Sequence, residues 1–125
     1  TAISKEFTFS ASHTICGLPK GHKCSNLHGH SYKVLVQLTG TVDEIGFVMD
    51  YGELTWVRNL IDSSLDHQHL NNVLTFNPTA ENIAAWIGDK LAEWLSSRPE
   101  RNRISGLLVS VSETSTTAAI FTREL

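Results

Sequence analysis

The chain has 125 residues, 41% of them hydrophobic and 18% charged, with a formal net charge of −3. That length supports one domain with a real core, residues 1–125, and leaves too little for a second. No run of like charge and no apolar stretch of membrane-spanning length is present, which argues against nucleic acid and membrane as partners. The opening residues Thr1-Ala2-Ile3-Ser4-Lys5-Glu6 lack the apolar core of a signal peptide, so a cytoplasmic protein is expected.

Residues 3–14 read as a strand. Ile3, Phe7, Phe9, Ala11 and His13 share one row, with Lys5 the exception, and Ser4, Glu6, Thr8, Ser10 and Ser12 share the other. Residues 15–27 are a loop marked by Gly17, Pro19 and Gly21, and residues 28–39 read as a second long strand. Residues 46–49, Gly-Phe-Val-Met, are expected to form a short third strand. Asp50 can cap a helix over 51–65, with Leu54, Val57, Ile61 and Leu65 on one face.

The stretch from Leu65 to Pro78 reads as a loop rich in His, Asn and Thr. A second helix starts at Pro78 and Thr79, with Glu81 in its first turn, where negative charge suits the helix dipole. Ile83, Trp86, Ile87, Leu91, Trp94 and Leu95 form a wide apolar stripe that reads as core, and Arg98-Pro99 ends the helix. Residues 104–113 and 117–124 read as two closing strands, a hairpin around Glu113-Thr114-Ser115-Thr116. Long antiparallel strands with helices gathered on one face make an α+β layer fold, whose open sheet edges invite a neighbouring subunit.

Three histidines carry the functional argument. His28 and His30, two apart on a strand, point to one side, and they continue the row Tyr32, Val34, Val36, Leu38. If the first two strands pair antiparallel, His13 at the end of the first comes beside them. Three imidazoles with one open position match the ligand count of a catalytic zinc site, whereas a structural site is closed by four protein ligands.

Other residues leave alternatives open. Three residues separate Cys24 from His28, so Cys24 is either a fourth metal ligand or a thiolate armed by a nearby dication. Cys16 reads as a small, partly buried side chain, and the two cysteines read as reduced thiols rather than a disulfide framework. Asp66-His67 is either an acid–base pair, the carboxylate raising the basicity of the imidazole, or a solvated helix end. His22 and His69 read as solvent-facing. Glu113 ends the apolar row Leu107, Val109, Val111, so its carboxylate is either solvated at the sheet margin or buried against a partner. A ligand offering two N–H donors, such as an amino-pyrimidinone edge, would be such a partner.

Five segments together resemble the 6-pyruvoyl-tetrahydropterin synthase / 6-carboxytetrahydropterin synthase family. They are Phe7-Thr8-Phe9-Ser10-Ala11-Ser12-His13, the run from Gly21 to Tyr32 containing Cys24-x3-His28-Gly29-His30, Leu65-Asp66-His67, Asn77-Pro78-Thr79-Ala80-Glu81-Asn82, and Val111-Ser112-Glu113-Thr114. The resemblance implies the tunnelling fold (T-fold), a four-stranded antiparallel sheet with two helices on one face, assembled as a homohexamer of two stacked trimers with active sites between subunits. It implies Zn2+ on His13, His28 and His30, Cys24 as catalytic base, Asp66 and His67 as its partner dyad, and Glu113 as the pterin anchor, with Thr79 and Glu81 near the pterin pocket. Cys16 matches no family role. The short Cys24–His28 gap is similar to that of the bacterial carboxytetrahydropterin synthases of 7-deazaguanine (queuosine) biosynthesis. The implied reaction is conversion of 7,8-dihydroneopterin triphosphate to 6-carboxytetrahydropterin, acetaldehyde and triphosphate. A pyruvoyl-type synthase, which keeps the three-carbon side chain, and a non-catalytic zinc- or pterin-binding protein are the alternatives.

Overall fold

The alternation of the first two stretches is realised residue for residue in the computed structural model, which describes all 125 residues. Strand β1 (Ala2–His13) pairs antiparallel with β2 (His28–Gly40), setting Phe9 opposite Tyr32, Ala11 opposite His30 and His13 opposite His28. Phe7, Phe9, Ala11 and His13 are buried, while the Ser4-to-Ser10 row is exposed. Lys5 fits its apolar row by snorkelling: its ammonium lies over the Phe7 ring and donates to the Tyr51 carbonyl.

Strands β3 (Ile104–Ser112) and β4 (Ala119–Glu124) complete an antiparallel sheet in the order β1-β2-β3-β4. Three helices lie between β2 and β3 in sequence: α1 (Thr55–Ser64), a single turn α2 (Leu70–Val73) and α3 (Ala80–Leu95). Two long helices were expected, and α2 is an addition inside the stretch read as loop; burial of Leu70 is what fixes that turn. A tight 3-10 turn (Tyr51–Leu54) precedes α1, and Asp50 caps this turn rather than α1 itself. The face Leu54, Val57, Ile61 and Leu65 is fully buried, as are Ile83, Ile87 and Leu91 of α3. Trp86 and Trp94 flank that stripe half-buried, and Trp94 stacks on Trp56 of α1 with ring centroids 4.9 Å apart. The core of 25 buried apolar residues lies between the helices and one sheet face.

The third strand expected at 46–49 does not form. The Asp43 carboxylate accepts the backbone N–H groups of Ile45 and Phe47, and Gly46 takes a positive φ of 95°, so the segment closes a turn instead of extending. Val48 and Met49 still reach the core. The bond from the Phe47 N–H comes first among the causes that hold the Asp43 carboxyl below its ordinary range, with the Ile45 bond and the Arg103 charge adding to it against desolvation.

Register between β2 and β3 shifts at Thr39/Gly40, where Ser105 is the extra residue. A Cβ on Gly40 would overlap the Arg103 carbonyl and the Ile104 Cα, both backbone. We expect Gly40→Ala to destabilise the fold by about 3 kcal/mol, because the neighbour cannot swing aside. A Cβ on Gly88 of α3 meets first the Phe121 side chain, which must shift but is not backbone, and alanine improves helix propensity by about 1 kcal/mol. Gly88→Ala is therefore expected to stay close to wild type, and thermal or urea unfolding of the two variants checks the contrast.

The sheet face opposite the helices is uncovered, and β4 has no neighbour on its outer edge. The outer edge of β1 is partly covered by residues 66–69: Ser12 N–H donates to the Gln68 carbonyl, and the His67 N–H donates to the Ser10 carbonyl. No helix is long and apolar enough to cross a membrane.

Candidate metal centre and active site

Pairing of His13 with His28, and the two-residue step to His30, bring three imidazoles to one corner of the sheet. One ring nitrogen from each lies within 4.8 Å of the others. His13 is buried, and His28 and His30 are half-buried. Backbone carbonyls fix two of the tautomers. The Nδ1–H of His13 donates to the Pro78 carbonyl at 2.7 Å, and that of His28 donates to the Asn26 carbonyl at 2.7 Å. Both Nε2 atoms are then unprotonated acceptors, yet they face each other at 2.9 Å. In the neutral rings two lone pairs at that separation repel unless a proton or a metal ion lies between them.

The Nε2 of His30 is buried without a hydrogen-bond partner. An unpartnered buried ring nitrogen beside two opposed ones is an arrangement a metal ion would satisfy, and neutral imidazole held by a carbonyl is the form in which histidine ligates. In tetrahedral zinc coordination at 2.0–2.1 Å, neighbouring nitrogens sit roughly 3.3 Å apart, a spacing within the range spanned here. Burial first, opposed by the bond to Pro78, keeps the His13 pKa below its ordinary value and so favours the neutral ring. The three residues could hold a metal ion. Tyr32 closes the floor, its hydroxyl 3.2 Å from His13 Nδ1, and burial pushes this phenol up so that it stays neutral.

Cys24 does not join the cluster of ligand atoms. It lies half-buried in a 3-10 turn (Lys23–Ser25), with a free thiol. His22 is exposed as expected, but its Nδ1 accepts the Cys24 N–H and so caps that turn. Cys16 is exposed, not partly buried; its backbone is engaged and its thiol is free.

Glu113 stands just beyond β3, with one carboxylate oxygen 3.7 Å from His30 Nε2 and no protein hydrogen bond. It lines a cavity of about 320 Å³ together with Glu81, Ala80, Val111 and the residues Thr117, Ala118 and Ala119 leading into β4. Its acceptor oxygens are thus free to meet donors from a ligand. Thr79 is the N-cap of α3, its hydroxyl accepting the Asn82 N–H. Its neighbour Pro78 supplies the carbonyl on His13, a contribution hidden from sequence reading because any residue type carries a carbonyl.

Asp66 and His67 lie along the β1 edge. One Asp66 oxygen accepts the Ser10 N–H at 3.0 Å, and the other is 3.6 Å from His67 Nε2, ion-pair reach rather than a hydrogen bond. His67 adopts the left-handed conformation, φ 58°, which a bulky residue rarely takes, and its side chain is 83% exposed. It borders a surface depression that also reaches His30 and His69. His69 was expected to face solvent; it is half-buried and bonded to the Ser12 hydroxyl at 3.0 Å. No hydrogen bond or ion pair within the chain links Cys24 to Asp66 or His67.

Fold and site together define a small α+β protein with a metal-competent corner of three histidines beside a carboxylate-lined cavity. The model of the 6-pyruvoyl tetrahydropterin synthase family matches residues 2–124, and the chain belongs to that family. It is 43% identical to the 6-carboxy-5,6,7,8-tetrahydropterin synthase of Synechocystis over 73% of this chain and 74% of that one. It is 34% identical to the dihydroneopterin monophosphate aldolase of Pyrococcus furiosus, over 78% of this chain and 81% of that one. The solved 6-pyruvoyl tetrahydropterin synthase of Caenorhabditis elegans superposes with a TM-score of 0.76 and 27% identity, covering 100% of this chain and 95% of that one. The sheet-and-helix layer is thus the T-fold of that family.

Proposed function

We propose that the chain is a zinc-dependent 6-carboxy-5,6,7,8-tetrahydropterin synthase. It converts 7,8-dihydroneopterin triphosphate and one water to 6-carboxytetrahydropterin, acetaldehyde and triphosphate, in 7-deazaguanine biosynthesis. The observation that carries the chemistry is the trio of converging imidazoles, two with Nε2 freed by carbonyl-held Nδ1–H groups and one with a buried, unpartnered Nε2. The choice of product rests on the 43% identity to the Synechocystis carboxy enzyme.

His13, His28 and His30 would hold the ion, which when bound supplies Lewis-acid polarisation of a substrate side-chain oxygen. Glu113 accepts the N–H donors of the pterin ring in the cavity it shares with Glu81, a positioning effect. Thr79 does not itself line that cavity; as N-cap of α3 it fixes the helix start that carries Ala80 and Glu81 into the lining. Cys24 takes a proton from substrate carbon, and His67, oriented by Asp66, exchanges one with substrate oxygen. An exposed His67 at a strand edge, unlinked to Cys24 within the chain, suits an active site completed between subunits. The open edge of β4 and the bare sheet face suit assembly into trimers that stack as a hexamer.

Anaerobic incubation of the zinc-loaded protein with 7,8-dihydroneopterin triphosphate, read by liquid chromatography and mass spectrometry, tests this. 6-Carboxytetrahydropterin with acetaldehyde supports it. A product retaining the three-carbon side chain, an aldolase product, or no turnover overturns it.

Glu113→Gln is expected to weaken binding of a pterin by roughly 100-fold or more, since one charge-assisted acceptor becomes a donor facing donors. A fluorescence titration measures this, and unchanged affinity would return Glu113 to the role of a solvated margin residue.

A further inference from the structure

Beyond His13 the chain leaves the sheet, yet its backbone stays tied to the fold by side chains. Thr14 is bracketed by the Asn71 side chain, whose Oδ1 accepts the Thr14 N–H at 2.9 Å and whose Nδ2 donates to the Thr14 carbonyl at 2.9 Å. Two residues on, Asn77 makes the same pair of bonds to Cys16, each at 3.0 Å. The two carboxamides thus bracket the backbone of residues 14 and 16. Between them, the Ile15 N–H donates to the Cys24 carbonyl at 3.1 Å.

We infer that Asn71 and Asn77 are positioning residues that fix the Cys24 turn relative to the histidine corner. This inference rests on the reading of Cys24 as the proton-transfer group. The physical argument is one of leverage. The loop from Thr14 to Leu27 has no regular structure apart from the single turn at Lys23–Ser25. A tie back to the fold runs from Cys24 through Ile15 to the segment bracketed by the two asparagines. A side-chain amide is the right group because it carries one acceptor and two donors in a plane, like a peptide unit. The Asn77 backbone carbonyl separately receives the Thr79 N–H and the Asn82 side chain at the start of α3. Alanine at 77 removes the bracket and leaves those bonds in place.

The test uses Asn77→Ala and, independently, Asn71→Ala, so that a folding failure of one leaves the other. Each lost hydrogen bond is worth roughly five-fold in a local opening equilibrium, so loss of a bracket should speed Ile15 amide hydrogen exchange on the order of 20-fold. Alkylation of Cys24 by iodoacetamide, resolved from Cys16 by peptide mass spectrometry, should accelerate several-fold, while zinc content stays at the wild-type level. With substrate, kcat should fall on the order of ten-fold with KM within about two-fold, the split expected when a reacting group, rather than binding, is disturbed. Unchanged Cys24 alkylation and Ile15 exchange in both variants would overturn the inference, as would loss of zinc in step with activity, which would move the clamp's role to the histidines. If the wild-type protein turns over none of the substrate, the functional reading fails, and exchange and alkylation alone still decide the clamp.

Discussion

Zinc added to the metal-stripped wild-type chain is expected to raise its Tm, and His28→Ala is expected to abolish that rise. The cause is the opposition of the His13 and His28 Nε2 atoms at 2.9 Å, both left without a proton by carbonyl-bound Nδ1–H groups. A cation that binds the folded corner and not the unfolded chain stabilises the fold in proportion to the logarithm of its concentration over Kd. Zinc sites in small folded peptides bind with about 10–16 kcal/mol, so one ligand of three or four is worth roughly 3–4 kcal/mol, some 10²–10³-fold in affinity. His28 is the cleaner probe than His13: it is half-buried, whereas His13 is 1% exposed and its removal would also empty part of the core. Metal content by mass spectrometry should fall from about one ion per chain to a trace in His28→Ala. Retention of stoichiometric zinc would remove His28 from the ligand set and undo the reading of this corner as a metal centre.

The corner of three histidines was legible in the sequence because strand geometry has an exact period of two. Counting from Phe7 places His13 inward, counting back from Val34 places His28 and His30 inward, and antiparallel pairing of those rows leaves one arrangement. The helices were legible for a similar reason, their buried positions recurring at helical spacing from Leu54 to Leu65 and from Ile83 to Leu95. Gly-Phe-Val-Met at 46–49 misled because its apolar residues do enter the core, but as a turn organised by the Asp43 side chain, a bond between residues two and four apart that hydrophobic pattern does not report. His69 misled because its partner, Ser12, lies 57 residues away. The same distance blindness hid Asn71 and Asn77, which read as loop polarity until the fold set them beside Thr14 and Cys16. Pro78 and Asn26 act through carbonyls, which every residue type has, so no spacing could have singled them out.

Cys24→Ala should leave zinc content and Tm near wild type while turnover falls by about 10²–10⁴-fold, the range for losing a positioned acid or base. Two observations separate that outcome from the alternative. Three histidine nitrogens cluster within 4.8 Å without the Cys24 sulfur, so an ion held there would keep a position open, as a catalytic rather than a structural site requires. The thiol also sits in a turn whose backbone is held by His22 Nδ1 on its N–H and Ile15 on its carbonyl, so its removal would take away the proposed proton-transfer group and leave the turn's ties intact. Were Cys24 a fourth ligand, the alanine variant would lose zinc affinity and the zinc-dependent rise in Tm together, as His28→Ala does. Measuring metal, Tm and turnover on both variants side by side therefore distinguishes a ligand from a base. Loss of all three in both makes the site structural, whereas loss of turnover alone in Cys24→Ala assigns the proton transfer to the thiol.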